Sequence, residues 1–269
     1  MGEAIIAGLL RNGLTSADRV HTSGPEFDRN EEIRERYGLQ TFTDNAAAVV
    51  GADVVILSVK PQRVDVVLSG LHGKIDPNAL VLSIVAGASI QKLSDGLDHR
   101  SVVRAMPNTP AQIGEGITVW TASGGVSQEQ RAVAQKVLSA MGKEVFVEEE
   151  SYLDMATALS GSGPAYVFMF MEAMIDAGVH LGFPRRIAEQ LVVETVRGSV
   201  DYYSQRSAHP ATLRNEVTSP GGTSAAALYY LEKAGFRTAI SRAIWAAYER
   251  SQELGKGQNG HAPEKPEKE

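Results

Sequence analysis

The chain has 269 residues, 43% of them hydrophobic, a formal net charge of −6 and no cysteine, which excludes disulfides, thiol catalysis and cysteine-ligated zinc and fits a reducing compartment. Lysine and arginine are scattered, so no basic stripe points to nucleic acid, and no apolar run reaches the length of a membrane span. Glu3 stands where a signal peptide wants positive charge, so the expectation is a cytoplasmic globular protein.

The first stretch, MGEAIIAGLLRNG, places Ala4, Ile5, Gly8 and Leu9 on one face of a 3.6-residue period, with Gly13 as a stop. Short apolar, β-branched runs follow at Arg19–Thr22, Asp53–Val59, Ala79–Val85, Val102–Arg104, Ile117–Trp120 and Glu144–Val147. Helical patterns alternate with them at Glu26–Tyr37, Asn45–Val50, Arg63–Leu71, Ile90–Asp95 and Gln128–Met141. The runs VVIL and LVLSIV are continuously apolar, which predicts strands covered on both faces. This rhythm predicts an α/β domain over residues 1–147, a parallel sheet wound with helices of the nucleotide-binding kind.

After Glu150 the strand runs stop. Tyr152–Leu159 reads as helix, and Pro164 opens a long helix through Leu181 with Phe168, Met171, Ile175 and Val179 on one face. Pro184 opens another, with Ile187, Leu191, Thr195 and Val200 in period. Ser224–Glu232 and Phe236–Leu254 are further helices, punctuated by Gly235, so residues 148–254 form a helical domain. The segments VFMFMEAM and AISRAIWAAY are very apolar, which fits either an internal bundle core or cover by a second subunit. Residues 255–269, GKGQNGHAPEKPEKE, have the composition of a disordered tail.

The six histidines never stand at i, i+3 or i+4 to one another, no HExxH motif is present, and the expectation is no metal site. No G-x-S-x-G elbow is present either, which disfavours a serine hydrolase. Three strand ends carry loops of interest. Ser58–Gln62, SVKPQ, follows DVVIL and puts the cation of Lys60 at the rim where wound sheets bind ligands. Val85–Ser89, VAGAS, has small residues that let an extended ligand approach the backbone. Arg104–Pro110, RAMPNTP, brackets Asn108 and Thr109 between two prolines in a rigid polar loop. Each alone is also an ordinary strand-to-helix turn; together they point to one cleft along one sheet edge.

In the second domain Leu159–Tyr166, LSGSGPAY, has two glycines before a proline, which is simple helix punctuation or a close approach by a ligand or backbone. In Val217–Leu228, VTSPGGTSAAAL, a Pro-Gly-Gly turn leads into a helix at Thr223 and Ser224. The unpaired N–H groups and the dipole of a helix start suit a carboxylate or phosphate, and the hydroxyls of Ser219, Thr223 and Ser224 add directional bonds. The ordinary alternative is a serine or threonine cap after a glycine turn.

Together MGEAIIAGL, SVKPQ, VAGASI, RAMPNTPAQIGEG, LSGSGPAY and HPATLRNEVTSPGGTSAAAL through LEKAGFR resemble the pyrroline-5-carboxylate reductases, over residues 1 to about 254. SPGGT is that family's most specific signature. The resemblance implies a Rossmann-type doubly wound domain followed by an all-helical dimerisation domain. It implies reduction of the C=N bond of Δ1-pyrroline-5-carboxylate to L-proline, the last step of proline biosynthesis, by hydride from NADPH or NADH. A protonated imine is already an electrophile, so positioning suffices and the lack of a histidine or carboxylate constellation is in keeping.

In the family a first strand runs into a G-x-G-x-M-G loop, and Met1 and Gly2 look like its last two letters. The expectation is that an internal methionine was taken as the start, or that the sequence is a fragment. A chain beginning there is expected to lack the central strand, and so to fold poorly, bind cofactor weakly or recruit something into the gap. The resemblance places Gly2, Ser58, Val59, Lys60 and Pro61 along the cofactor, Asn45 near its adenosine end, and Val85, Ala86, Gly87 and Asn108 beside its nicotinamide half. Gly221, Gly222, Thr223 and Ser224, with Ser219, fall to the imino-acid substrate. Ser224 replaces the family's usual threonine near the imine nitrogen and is the candidate catalytic residue.

Thr22 and Ser23 stand where an NAD-selective site ends its strand in an acid, and Arg29 is near to meet a 2′-phosphate, which leans toward NADPH; Glu26 and Asp28 blur the case. The resemblance further implies a homodimer whose helical domains interlock, dimers often joining into a ring. Two rivals are a related reductase on the same plan and a non-catalytic dimeric paralogue with a decayed nucleotide site. Hydroxyacid enzymes of that plan use a helical-domain lysine, and the sole one before the tail is Lys233, beyond the SPGGT helix. Intact SVKPQ, MPNTP and SPGGTS segments speak against decay.

Overall fold

A computed structural model describes residues 1–255; from residue 256 on, the expected tail lies outside the described residues. Helix α1 (Gly2–Arg11) buries Ala4, Ile5 and Gly8. Gly8 is required there, because a Cβ on it would lie 2.6 Å from the carbonyl oxygen of Ala140. Strand β1 (His21–Ser23), helix α2 (Phe27–Tyr37), strand β2 (Gln40–Phe42) and helix α3 (Asn45–Ala48) follow. Then come β3 (Val54–Leu57), α4 (Val64–Leu71), β4 (Leu80–Ser83), α5 (Ile90–Leu97), β5 (Val102–Met106), β6 (Gly116–Ala122), α6 (Gln128–Ser139) and β7 (Gly142–Phe146).

The strands form two sheets. β1 and β2 pair in parallel, and β3-β4-β5-β6-β7 form a second sheet in that order. Among the described residues β1 and β3 are not hydrogen-bonded to each other, and each is paired along one edge only. β3, β4 and β5 are parallel, as the alternation predicts, and β7 is parallel to β6. β6 runs antiparallel to β5, which corrects the expectation of a wholly parallel sheet. The physical reason is loop length. Met106 and Gly116 are joined by little more than a 3₁₀ turn, Thr109–Ile113, and a parallel return needs a crossover of about a dozen residues or more.

Side chains alternate across a strand, and β4 shows it. Leu80 and Leu82 join one apolar cluster with Ile5, Val103, Leu138 and Met141, while Val81 joins the other with Leu57, Leu71, Leu93 and Leu97. β4 is buried at every position, as expected of LVLSIV. VVIL is not: in β3 only Val55 and Leu57 are buried, while Val54 and Ile56 are partly exposed, because β3 is the edge of its sheet.

Beyond β7 the described chain is helical: α7 (Tyr152–Ala156), a π-helical turn Thr157–Gly161, α8 (Gly163–His180), α9 (Arg185–Gln205), α10 (Pro210–Glu216), α11 (Thr223–Lys233) and α12 (Phe236–Gly255). LSGSGPAY is helix punctuation: the π turn ends at Gly161, Ser162 is its C-cap outside any helix, and α8 starts at Gly163. The described residues divide into two compact units, one of Met1–Ser162 with residues 247–255, the other of Gly163–Ala246. Contacts thus divide the chain later than the expected 147/148 division, and they return the end of α12 to the sheet-bearing unit. In the helical unit α8, α10 and α11 bury no residue, and α9 buries only Ala188 and Val192. Phe168 is 60% exposed and Met169 73%.

Candidate active site

The carboxyl ends of the three parallel strands β3, β4 and β5 lie side by side, and each leads directly into a segment singled out by sequence. Ser58 and Val59 follow β3 half-buried, and Lys60 is exposed just before the 3₁₀ turn that Pro61 opens. The start of α1 reaches the same place: a Cβ on Gly2 would lie 3.1 Å from Ser58 Oγ. No side chain caps α1, and an uncapped helix start is in general a favourable place for an anion.

After β4, Val85 is buried and its N–H donates to Ser83 Oγ at 3.3 Å. Gly87 has φ +74°, which only glycine adopts without strain. Its close neighbour is the chain itself: a Cβ on Gly87 would lie 3.1 Å from both Leu254 C and Gly255 N at the end of α12. After β5, Asn108 Oδ1 accepts the Ile117 N–H at 3.0 Å, which ties the rigid MPNTP loop to β6. Arg104, the first residue of that segment, is not a rim cation. Its side chain is 7% exposed and pairs with Glu150 at 2.8 Å and Asp154 at 3.3 Å.

At the end of β1, Ser23 Oγ is buried with no hydrogen-bond partner. A buried hydroxyl left unpaired is costly, and this one stands at the end of a parallel strand. Asn45 opens α3 half-buried, with Asp44 as the cap accepting the Ala46 N–H at 3.0 Å. Arg29 lies in the first turn of α2, where its guanidinium is held by Glu3 and Glu32. Burial pushes the Glu3 carboxyl up, but hydrogen bonds from Tyr37 and Arg36 and the charge of Arg29 outweigh it and hold the group below the usual range.

In the helical unit the SPGGTS segment has the geometry of an open helix start. Gly221 has φ +74°, and the Gly222 N–H donates to the Ser219 carbonyl at 3.0 Å, closing the turn. A Cβ on Gly222 would lie 3.1 Å from that oxygen and 3.2 Å from Ser219 Oγ. Gly222 is the N-cap of α11, and no side chain caps it. The ordinary reading, a serine or threonine side chain as the cap, does not hold here, since the cap position is Gly222. Thr223 is exposed and Ser224 half-buried.

Sequence reasoning missed the partners of Arg104. The signal is present: a charge inside the apolar run VVRAM must find a counter-charge if the strand is buried, and EEESYLD supplies candidates.

Residues 150–254 match the family model for pyrroline-5-carboxylate reductase dimerisation, and residues 1–87 that for an NADP oxidoreductase, coenzyme F420-dependent. The chain is 42% identical to a pyrroline-5-carboxylate reductase of Synechocystis sp. over 256 residues, 95% of either chain. It is 37% identical to the pyrroline-5-carboxylate reductase of Arabidopsis thaliana over 94% of its length and 92% of the relative's. The crystal structure of a Plasmodium falciparum pyrroline carboxylate reductase with NADP bound is similar with a TM-score of 0.87 at 30% identity, covering 95% of this chain and 94% of that one.

Proposed function

Because the chain belongs to the pyrroline-5-carboxylate reductase family, we propose that it reduces Δ1-pyrroline-5-carboxylate to L-proline with NADPH, or NADH, as a cytoplasmic homodimer. The observation that carries the reading is the uncapped start of α11 behind the Gly221–Gly222 turn. A helix start with free N–H groups and a hydroxyl on each of its first two residues suits a small substrate carrying a carboxylate. Gly221, Gly222 and Thr223 receive that carboxylate, with Ser219 flanking the turn. The Ser224 hydroxyl orients the imine nitrogen; that nitrogen carries a proton taken from solvent, which makes the adjacent C=N carbon the electrophile that accepts the hydride while the C=N electron pair passes to nitrogen. Serine keeps the hydrogen-bonding group of the family's threonine and loses its methyl, so the hydroxyl is less constrained.

The bound nicotinamide supplies the hydride. The chain's own part is to hold and orient it. Gly2 and the start of α1 take the pyrophosphate side with Ser58, Val59, Lys60 and Pro61; Ser23 and Asn45 take the adenosine side; Val85, Ala86, Gly87 and Asn108 take the nicotinamide side. The orphan hydroxyl of Ser23 and the close approach of Gly2 to Ser58 support this assignment.

The homodimer is supported by the helical unit itself, whose α8, α10 and α11 bury nothing although α8 is rich in Phe and Met. Residues 148–254 are assigned as the dimerisation segment. Larger rings of dimers follow from family resemblance, and light scattering on the purified chain measures them directly. The decisive experiment is oxidation of NADPH dependent on Δ1-pyrroline-5-carboxylate, with NADH in parallel and proline identified as product. A folded dimer that binds NADPH and leaves the imine untouched overturns the assignment.

A further inference from the structure

Arg104 stands on β5 among buried apolar residues, with its side chain 7% exposed. Its Nη1 donates to Glu150 Oε1 at 2.8 Å and its Nη2 to Asp154 Oδ1 at 3.3 Å. Both carboxylates reach further. Glu150 Oε1 also accepts the Ile90 N–H at 2.8 Å, the first residue of α5, just after the Val85–Ser89 turn. Asp154 Oδ1 accepts the hydroxyl of Ser251 at 2.9 Å, and Ser251, on the last turns of α12, is 3% exposed. A turn further along α12, the backbone of Leu254 and Gly255 packs on Gly87 closely enough to exclude a Cβ. The Val85–Ile90 segment is therefore held twice, through Glu150 at its end and by the end of α12 at its middle, and both holds lead back to one buried guanidinium.

We propose that Arg104, Asp154 and Ser251 form a clamp that presses the last turns of α12 onto Gly87, making them positioning residues for the nicotinamide side of the cofactor. The inference rests on the cofactor assignment given above. A planar fork with two donors facing two carboxylates fixes geometry that a point charge does not, and a charged hydrogen-bonded group with little solvent contact is costly to disturb. Ser251 is the link that can be cut alone, since Arg104 still pairs with Glu150 and Asp154 when the hydroxyl is gone.

The test is Ser251→Ala beside Arg104→Lys in the full chain. Hydrogen exchange of the amides of residues 85–90, read without any ligand, is expected to quicken about tenfold in Ser251→Ala, the loss of one charge-assisted hydrogen bond. NADP⁺ binding, followed by fluorescence, is expected to weaken by a similar factor, and the KM for NADPH to rise while the KM for the imine and kcat hold. Arg104→Lys is expected to show the same pattern more strongly. Unchanged exchange overturns the clamp, as does faster exchange with unchanged NADP⁺ affinity. A loss of melting temperature with every KM constant reduces the network to a structural role and likewise overturns it. Wild-type turnover of the imine is measured in the same series. Its absence overturns the reductase assignment, while exchange and NADP⁺ binding, read without the imine, still decide on the clamp.

Discussion

The carboxylate of Glu3, in the first turn of α1, meets the guanidinium of Arg29, in the first turn of α2, and also accepts from Arg36 at 2.6 Å and Tyr37 at 3.0 Å. Three donors on one helix are thus gathered by one acid on another. The pair ties the start of α1 to α2, and with Glu32 it engages the Arg29 cation.

Glu3→Gln is therefore expected to leave Arg29 held by Glu32 alone, loosening its hold, and so to favour NADPH over NADH. The ratio of the two KM values is expected to shift several-fold toward NADPH, and the shift is expected to shrink as salt is raised, because both charges are partly open to solvent. A ratio unchanged at low salt would show that Arg29 takes no part in discrimination.

The same substitution has a pH signature. The folded state holds the Glu3 carboxyl below its usual range. A depressed carboxyl contributes stability that is fully present above its unfolded value and is lost as pH falls through the folded one. Wild type is expected to be more stable than Glu3→Gln near neutral pH, with the difference closing in the acid range below ordinary glutamate titration. Urea unfolding of both proteins across that range measures it.

Much of this arrangement is legible in the sequence, and the misses have physical reasons. β4 is legible because both its faces are buried and its apolar run is unbroken. β2 is not, because its three residues, Gln40–Phe42, are exposed or half-buried and carry no run. α10 is short enough for its opening Pro210 to read as loop. The direction of β6 is invisible to periodicity, which is the same in both senses, although the short link after β5 implies it. The SPGGTS turn is legible because its chemistry is local. The partners of Arg104 are not, because they lie 46 and 50 residues further along the chain and only the fold brings them together.

The Gly221–Gly222 turn sets the start of α11, so its two glycines should fail differently from Ser224. Gly221→Ala forces a side chain into the left-handed region, at a cost of about 1–2 kcal/mol. It is expected to raise the KM for the imine about tenfold or more with a smaller effect on kcat. Ser224→Ala removes the hydroxyl and leaves the turn intact, so kcat is expected to fall at least tenfold with the carboxylate still bound. Ser224→Thr restores hydroxyl and methyl, and is expected to match or exceed wild type. Equal rates for the alanine and threonine variants would remove Ser224 from the chemistry.

The apolar surface of α8 predicts how the subunits associate. Phe168 and Met169 are more than half exposed, and α8 as a whole buries nothing. Isolated exposed apolar residues are unremarkable, but a run of them on one helix marks an interface. Charges placed there must be desolvated for two copies to meet. Phe168→Glu is expected to raise the dimer dissociation constant by at least about a hundredfold, on the scale of a lost aromatic anchor. Sedimentation equilibrium over a dilution series measures this, with far-UV circular dichroism to establish that the helices persist. A variant that stays dimeric at the dilution where wild type does would move the interface off α8, to the other uncovered helices of this unit.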